Sequence, residues 1–368
     1  MKWMYKVPWL DKMEKLIGSY HKFVLELLNC ITKLSPLEKP VEMKKNELEI
    51  KLNTDLKTVV RELENLKINK ECSDDFFKVA TRTDLKKHLR NLKYEEYDIL
   101  KKYINVTNNY ERILSDLYID QTKYSKSLKQ AFVYLYENLL SGKIFNKAIK
   151  SEGKVAVNEF KNFLTLENNI CPYCDWYEME FAAVSIDHFL PKSKYPLLSI
   201  YPRNLVVACA ACNDRIKKDN IYLPIAHPYY NEVADFFNFR LDNNEIVVEF
   251  KNGITLIDKR KVSNFLKLFD IKERFNRYHV KKLNVLIREI RQDVYEGLKD
   301  NKVKLEDVEK SFKYKIKKEQ QKLFEHKRQI PLTKLKIDYL NQINTLTEIK
   351  ELAEYVLWDI ELYQKSME

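Results

Sequence analysis

Four cysteines, an Asp-His pair and two asparagines are gathered between residues 171 and 213 of this chain. Cys171 and Cys174 stand in "CPYCDWYEMEF", and Cys209 and Cys212 in "NLVVACAACNDRIKKD". Two residues between paired cysteines let both sulfurs of a knuckle reach one ion at ~2.3 Å, and two such knuckles close a tetrahedron. The spacing predicts a structural Zn²⁺ held by Cys171, Cys174, Cys209 and Cys212. A shell of four thiolates leaves no open position for water, so this ion should stabilise the fold without taking part in catalysis. Four buried thiols without metal are the alternative, and they would leave four oxidisable groups unused in one small module. A disulfide framework does not suit a chain of 368 residues with no readable signal peptide. Cys30 and Cys72 stand singly and read as small buried apolar side chains.

The second set of groups lies between and just after the knuckles. Asp187-His188 ends the strand-like run "AAVSID", and Asn204 opens the next one, "NLVVA". Asn213 follows Cys212 at the start of "NDRIKKD", which reads as a helix beginning at the knuckle. Two short strands and a helix can bring these four residues to one point. The types suit metal-assisted phosphodiester cleavage. A carboxylate oxygen and an amide oxygen are hard ligands for Mg²⁺ or Mn²⁺. A neutral histidine can take a proton from an attacking water. A lone histidine beside an aspartate is more often structural; in this company His188 reads as catalytic. His227, in "AHPYY", reads first as a packed turn histidine and second as a visitor to the site from the following loop.

The run "CPYC … IDHFLPKSKYP … NLVVACAACNDRIKKD" resembles the HNH endonuclease family, the ββα-metal nucleases, in its version with a four-cysteine zinc site. The resemblance covers roughly residues 165–230 and continues more weakly through "AHPYYNEVADFF" and "LFDIKERFNRY". It implies that His188 is the general base, that Asp187 and Asn213 hold the catalytic divalent ion, and that Asn204 braces the loop and orients the histidine. Lys217, about one helical turn after Asn213, is a candidate phosphate contact, with a solvated lysine as the alternative. Asn213 stands where some members carry histidine. The implied activity is hydrolysis of double-stranded DNA, leaving 5′-phosphate and 3′-hydroxyl ends. Proteins of this style resemble effectors of bacterial anti-phage defence, Septu-like or restriction-like, that work beside an ATPase subunit. Two other readings stand beside this one. The first is a zinc-stabilised nucleic-acid-binding or adaptor protein with weak or no cleavage; the second is an RNA-directed nuclease using the same site.

The elements that must position these groups are mostly helical. "LDKMEKLIGSYHKFVLELLNCI" and "TDLKTVVRELENLKI" repeat apolar residues every three to four positions, with Thr54 as an N-cap and 34–45 as a connection. "SLKQAFVYLYENLL" puts Leu128, Phe132, Leu135 and Leu139 on one face, and Gly142 marks its stop. Periodicity then breaks at 170–256, where six of the ten prolines fall. "EIVVEF" reads as a strand, with a hairpin signal at Asn252-Gly253. Beyond about 259, Leu283, Leu286, Ile287, Ile290, Val294 and Leu298 form a helical stripe, and "LTEIKELAEYVLWDIELYQ" a terminal helix. The expected fold class is α+β, mostly helical, with a small zinc-bound ββα-metal HNH module between two α-helical regions. The boundaries are 1–165 for a helical region that positions substrate or a partner, 166–258 for the module, and 259–368 for the second helical region.

Composition limits the partners. The chain carries 65 Lys and Arg against 54 Asp and Glu, a formal charge of +11. Thirteen cations face seven acids in residues 251–300. Excess positive charge favours nucleic acid through phosphate contacts and counterion release. No apolar run approaches the ~18 residues of a membrane span, so a cytoplasmic protein without membrane contact is expected.

Overall fold

A computed structural model describes residues 99–120, 122–137, 169–179, 184–327 and 329–367, together with Leu28 and Glu96. The two helices expected before residue 67, their connection, Cys30 and Cys72 lie outside the described residues. Within them the architecture is mostly helical, with two small antiparallel two-stranded sheets and a buried four-cysteine cluster between helical regions. The chain divides into two compact units. Of the segment 166–258, residues 183–224 belong to one unit, and 168–182 and 225–258 to the other.

The first unit joins residues 183–224 to helices that precede them in sequence. Helix α1 (Ile99–Asn108) buries Ile99, Tyr103 and Val106, and the short α2 (Tyr110–Leu114) buries Tyr110, Ile113 and Leu114. Helix α3 (Lys126–Leu135) starts where the Ser125 hydroxyl accepts the Leu128 N–H at 3.1 Å, satisfying one orphan donor of the first turn. Its expected stripe is buried at Leu128, Phe132 and Leu135; Leu139 and Gly142 lie outside the described residues. Strands β1 (Val184–His188) and β2 (Leu205–Cys209) pair antiparallel, with Asp187 opposite Val206 and His188 opposite Leu205. Strand β2 is buried throughout, which explains its unbroken apolar sequence. A π-helix, Ala211–Lys217, leaves its end directly.

The second unit contains 168–182 and 225–368. Strands β3 (Phe237–Asp242) and β4 (Glu245–Phe250) form a hairpin. Its turn is Asn243-Asn244, both at positive φ (48° and 61°), and not the expected Asn252-Gly253. Asparagine tolerates the left-handed region well enough to fill both central positions of a type I′ turn. Asn252-Gly253 instead carries the chain from β4 into α4 (Leu256–Leu268), with Gly253 at φ 81°. Helix α4 is capped by Thr255, whose hydroxyl accepts the Asp258 N–H. Helix α5 (Ile271–Tyr278) follows. Then α6 (Val280–Leu298), α7 (Leu305–Glu325), α8 (Thr333–Ile343) and α9 (Leu346–Met367) pack around Leu286, Ile290, Val294, Phe312, Ile316, Leu340, Val356 and Ile360. Each such side chain contributes roughly 1.5–3 kcal/mol when fully buried. Among the described residues no helix is long and apolar enough to cross a membrane.

A buried histidine in this unit is held among aromatic rings. His279 has no hydrogen-bond partner on either ring nitrogen, and its ring stands edge-on to Trp176 at 4.2 Å and to Phe275 at 5.2 Å. Burial, helped by the Lys282 and Arg274 charges, lowers its pKa to about 4. The unfolded chain protonates this histidine near 6.5, so between about 6.5 and 4 it binds the extra proton and the folded state does not. The stability tied to a neutral His279 is therefore complete above about pH 6.5 and is lost as pH falls toward 4. His279→Phe should be at least as stable as wild type at pH 7.5, because it removes two buried polar atoms without partners. It should also lose less stability on acidification. Urea midpoints at pH 7.5, 6 and 5 check this, and an equal or steeper acid loss in the variant would contradict it.

Candidate active site

In an extended strand, successive side chains point to opposite faces. Ser185 and Asp187 therefore share one face of β1, and the π-helix answers both of them. Asn213 Nδ2 donates to Ser185 Oγ at 2.8 Å, and Lys217 Nζ donates to Asp187 Oδ1 at 2.9 Å and to the His188 carbonyl at 2.8 Å. Asn213 and Lys217 lie four residues apart, about one turn of this widened helix. Its last bond runs from the Lys218 N–H to the Asn213 carbonyl at 2.9 Å, spanning five residues. Such π-turns are rare and recur at functional sites. The helix expected at "NDRIKKD" is thus present, in this wider form.

His188 is 9% exposed, and its Nε2 lies 3.0 Å from the Ser199 carbonyl. A carbonyl only accepts, so Nε2 carries the proton, and Nδ1 of the neutral ring is left with the lone pair. The Tyr136 ring meets the imidazole edge-on at 4.4 Å and limits its rotation. Burial lowers the His188 pKa to about 4; the Ser199 hydrogen bond opposes that shift, and the Lys192 and Lys217 charges add to it. Tyr136 is itself pushed up to about 12, first by burial and then by the Asp187 charge.

Asn204 is fully buried, and the side chain acts as a brace. Its Oδ1 accepts the Leu190 N–H at 2.8 Å and the Tyr110 hydroxyl at 3.0 Å, while Nδ2 donates to the Leu190 and Leu198 carbonyls. Its own carbonyl accepts the Phe189 N–H at 2.8 Å. These bonds fix both ends of the loop that follows His188 and carry it to Ser199, the partner of the histidine. The helices before the module support that loop from the other side. The Ser199 hydroxyl donates to the Phe132 carbonyl of α3 at 3.3 Å, and Tyr110 of α2 packs edge-on against Tyr201. Tyr110, Tyr136, Phe132 and Ser185 were not legible as site residues, since nothing in their local sequence marks them.

Asp187, His188 and Asn213 line one open cavity of about 490 Å³ together with Tyr136, Lys192 and Lys218. The Asn213 amide nitrogen is committed to Ser185, so its carbonyl oxygen is the group that can meet a cation beside the Asp187 carboxylate. These are hard oxygen donors and fit a hard divalent ion. Lys217, expected as a candidate phosphate contact, is completely buried with its ammonium turned to Asp187 and the His188 backbone. A buried ammonium needs acceptors, and the strand end supplies two of them, one a carboxylate. His227 is also completely buried; its Nδ1 accepts the Tyr229 N–H at 3.1 Å, in the manner of a turn cap.

The four cysteines come together as the spacing predicts. Cys171, Cys174, Cys209 and Cys212 are buried, and their sulfurs all lie within 4.8 Å of one another. A zinc tetrahedron with ~2.3 Å bonds has edges of roughly 3.8 Å, so the donor set fits a structural Zn²⁺. The first knuckle turns through Asp175, at φ 50°, whose N–H donates to the Cys171 carbonyl at 3.0 Å.

Two outcomes follow from this geometry. Lys217→Met removes the partner of a buried carboxylate, and breaking such a pair costs roughly 3–5 kcal/mol. A urea midpoint unchanged from wild type would show that the ion pair does not hold the strand end. Cys209→Ser should lose the metal and unfold its surroundings, because binding energy of a structural zinc is folding energy. Metal analysis with circular dichroism would reveal this; folded Cys209→Ser protein with no bound zinc is the contrary result.

No family model matches this chain, and neither does any solved structure. Two curated proteins are similar to part of it. Over 101 residues it is 32% identical to the Septu protein PtuB of Bacillus thuringiensis, covering 26% of this chain and 37% of that protein. Over 147 residues it is 26% identical to protein ea31 of Escherichia phage lambda, covering 36% of this chain and 48% of that one. The similarity thus spans less than half the length of either relative, and the chain is related to both distantly and in part.

Proposed function

We propose that this protein is a metal-dependent endonuclease of the HNH type that hydrolyses phosphodiester bonds of DNA. The observation that carries the reading is the state of His188. Its Nε2 is committed to a backbone carbonyl, so Nδ1 is a basic lone pair on a neutral ring, in a cavity shared with Asp187 and Asn213. A water held against Nδ1 gives up its proton there as its oxygen bonds to phosphorus. The bond from phosphorus to the 3′ oxygen breaks, the oxygen leaves with the bonding pair and takes a proton from solvent, and 5′-phosphate and 3′-hydroxyl ends result. A divalent ion, Mg²⁺ or Mn²⁺, held by Asp187 and Asn213 would supply positive charge to the crowded phosphate and the leaving oxygen. Asn204 keeps the Ser199 carbonyl in place and so holds the histidine in the tautomer that acts as base. Loss of a general base costs typically 10²–10⁴-fold in rate.

The partial similarity to the Septu protein PtuB supports a role in bacterial anti-phage defence, and the resemblance to HNH effectors adds an ATPase as the expected partner. The net charge of +11 supports a nucleic-acid substrate. Plasmid DNA and a structured RNA, incubated with Mg²⁺, Mn²⁺ or EDTA, test the reading. Wild type should nick plasmid with either ion and not with EDTA, and His188→Ala should be at least a hundredfold slower. Equal cleavage by His188→Ala would refute the assignment of the base, and cleavage confined to RNA would move the activity to the other nucleic acid.

A further inference from the structure

The burial of Lys217 turns its ammonium away from the cavity, while the next residue, Lys218, lines it. Lys218 lies just past the π-helix in an unusual conformation, φ 50° and ψ −128°. The Asn220 N–H donates to the Lys217 carbonyl at 2.9 Å, closing a turn whose first central residue is Lys218. These angles are those of a type II′ turn, a position that favours glycine. A lysine there is strained, and strain of this kind is retained where the surroundings and the function require it. The turn ends the π-helix and sends two consecutive lysines to opposite environments. Lys217 goes inward to Asp187, while Lys218 is exposed and lines the cavity with His188 and Asn213.

A second cation belongs to the same cavity. Lys192 lines the same cavity, and its ammonium lies 5.6 Å from the centre of the Tyr136 ring, the ring packed edge-on against His188. Asp187 is answered by Lys217, so the remaining charges lining the cavity are Lys192 and Lys218 against Asp214 and Asp219. An anionic substrate entering that balanced surface meets two ammonium groups in the cavity that holds the base. We infer that Lys192 and Lys218, which line the cavity with His188, bind the phosphodiester backbone and position a phosphate against Nδ1. The inference rests on the cleavage reading for what the phosphate is positioned for, but the contacts are measurable without cleavage.

The test is binding of the full chain, in the His188→Ala background, to a fluorescent 30-base-pair duplex across a salt series. Each phosphate contact contributes about 0.9 to the slope of log affinity against log salt, so removing one should weaken binding about tenfold near 0.1 M salt and lower the slope by about one. Lys192→Ala and Lys218→Ala should each do this. Lys194→Ala, an exposed lysine on the same loop but outside the cavity, should change neither. Lys218→Gly separates charge from conformation, since it relieves the strained φ while removing the ammonium; it should be more stable to urea than wild type and still bind about tenfold more weakly. Unchanged affinity and slope in both alanine variants overturn the inference, as does an equal loss in Lys194→Ala or a duplex that wild type does not bind. These results are distinct from those that bear on the cleavage reading. A wild type that binds through both lysines yet cuts nothing defeats that reading alone, and one that cuts while both variants bind normally defeats this inference alone.

Discussion

Burying an ammonium is costly unless acceptors meet it, and Lys217 finds two of them at the end of β1. Its Nζ touches the Asp187 carboxylate and the His188 carbonyl, and so ties the π-helix to the strand end. The rest of the site depends on this tie. It holds the face carrying Asp187 against Asn213, and it gives a buried carboxylate a cationic partner. A charge pair of this kind adds little net stability over an apolar pair, yet breaking half of it is expensive. It therefore fixes a geometry more than it strengthens the fold.

The histidine is controlled from the other face by hydrogen bonds that no charge enters. Asn204 makes four side-chain bonds, three of them to the loop between β1 and β2 and one to Tyr110. That loop in turn presents the Ser199 carbonyl to His188, while Tyr136 closes the ring against rotation. Helices α2 and α3 thus have a definite task in this unit. They provide the support on which the loop rests, through Tyr110, Phe132 and Tyr136.

Much of this was legible in the residues. The four-cysteine cluster follows from spacing, because two knuckles with two intervening residues each have few other ways to satisfy their thiols. Strand β2 and the stripe of α6 follow from apolar patterning, and β4 from its β-branched run. The hairpin turn was misplaced because Asn-Gly is the stronger local signal, whereas the strand pairing selected Asn243-Asn244. Local preference lost there to the register that buries Phe237, Phe239 and Ile246.

The sequence by itself determined which chemistry is available: thiolates for a structural ion, and a carboxylate, an imidazole and two carboxamides close enough to cooperate. It could not determine the facing of neighbours. Lys217 and Lys218 are identical in type and adjacent in the chain, and only the π-turn and the left-handed residue after it send one inward and the other to the cavity. Nor could it pair Tyr110 with Asn204, or Tyr136 with His188, across 94 and 52 positions. Such contacts are set by the packing of whole elements, which the order of residues specifies only collectively.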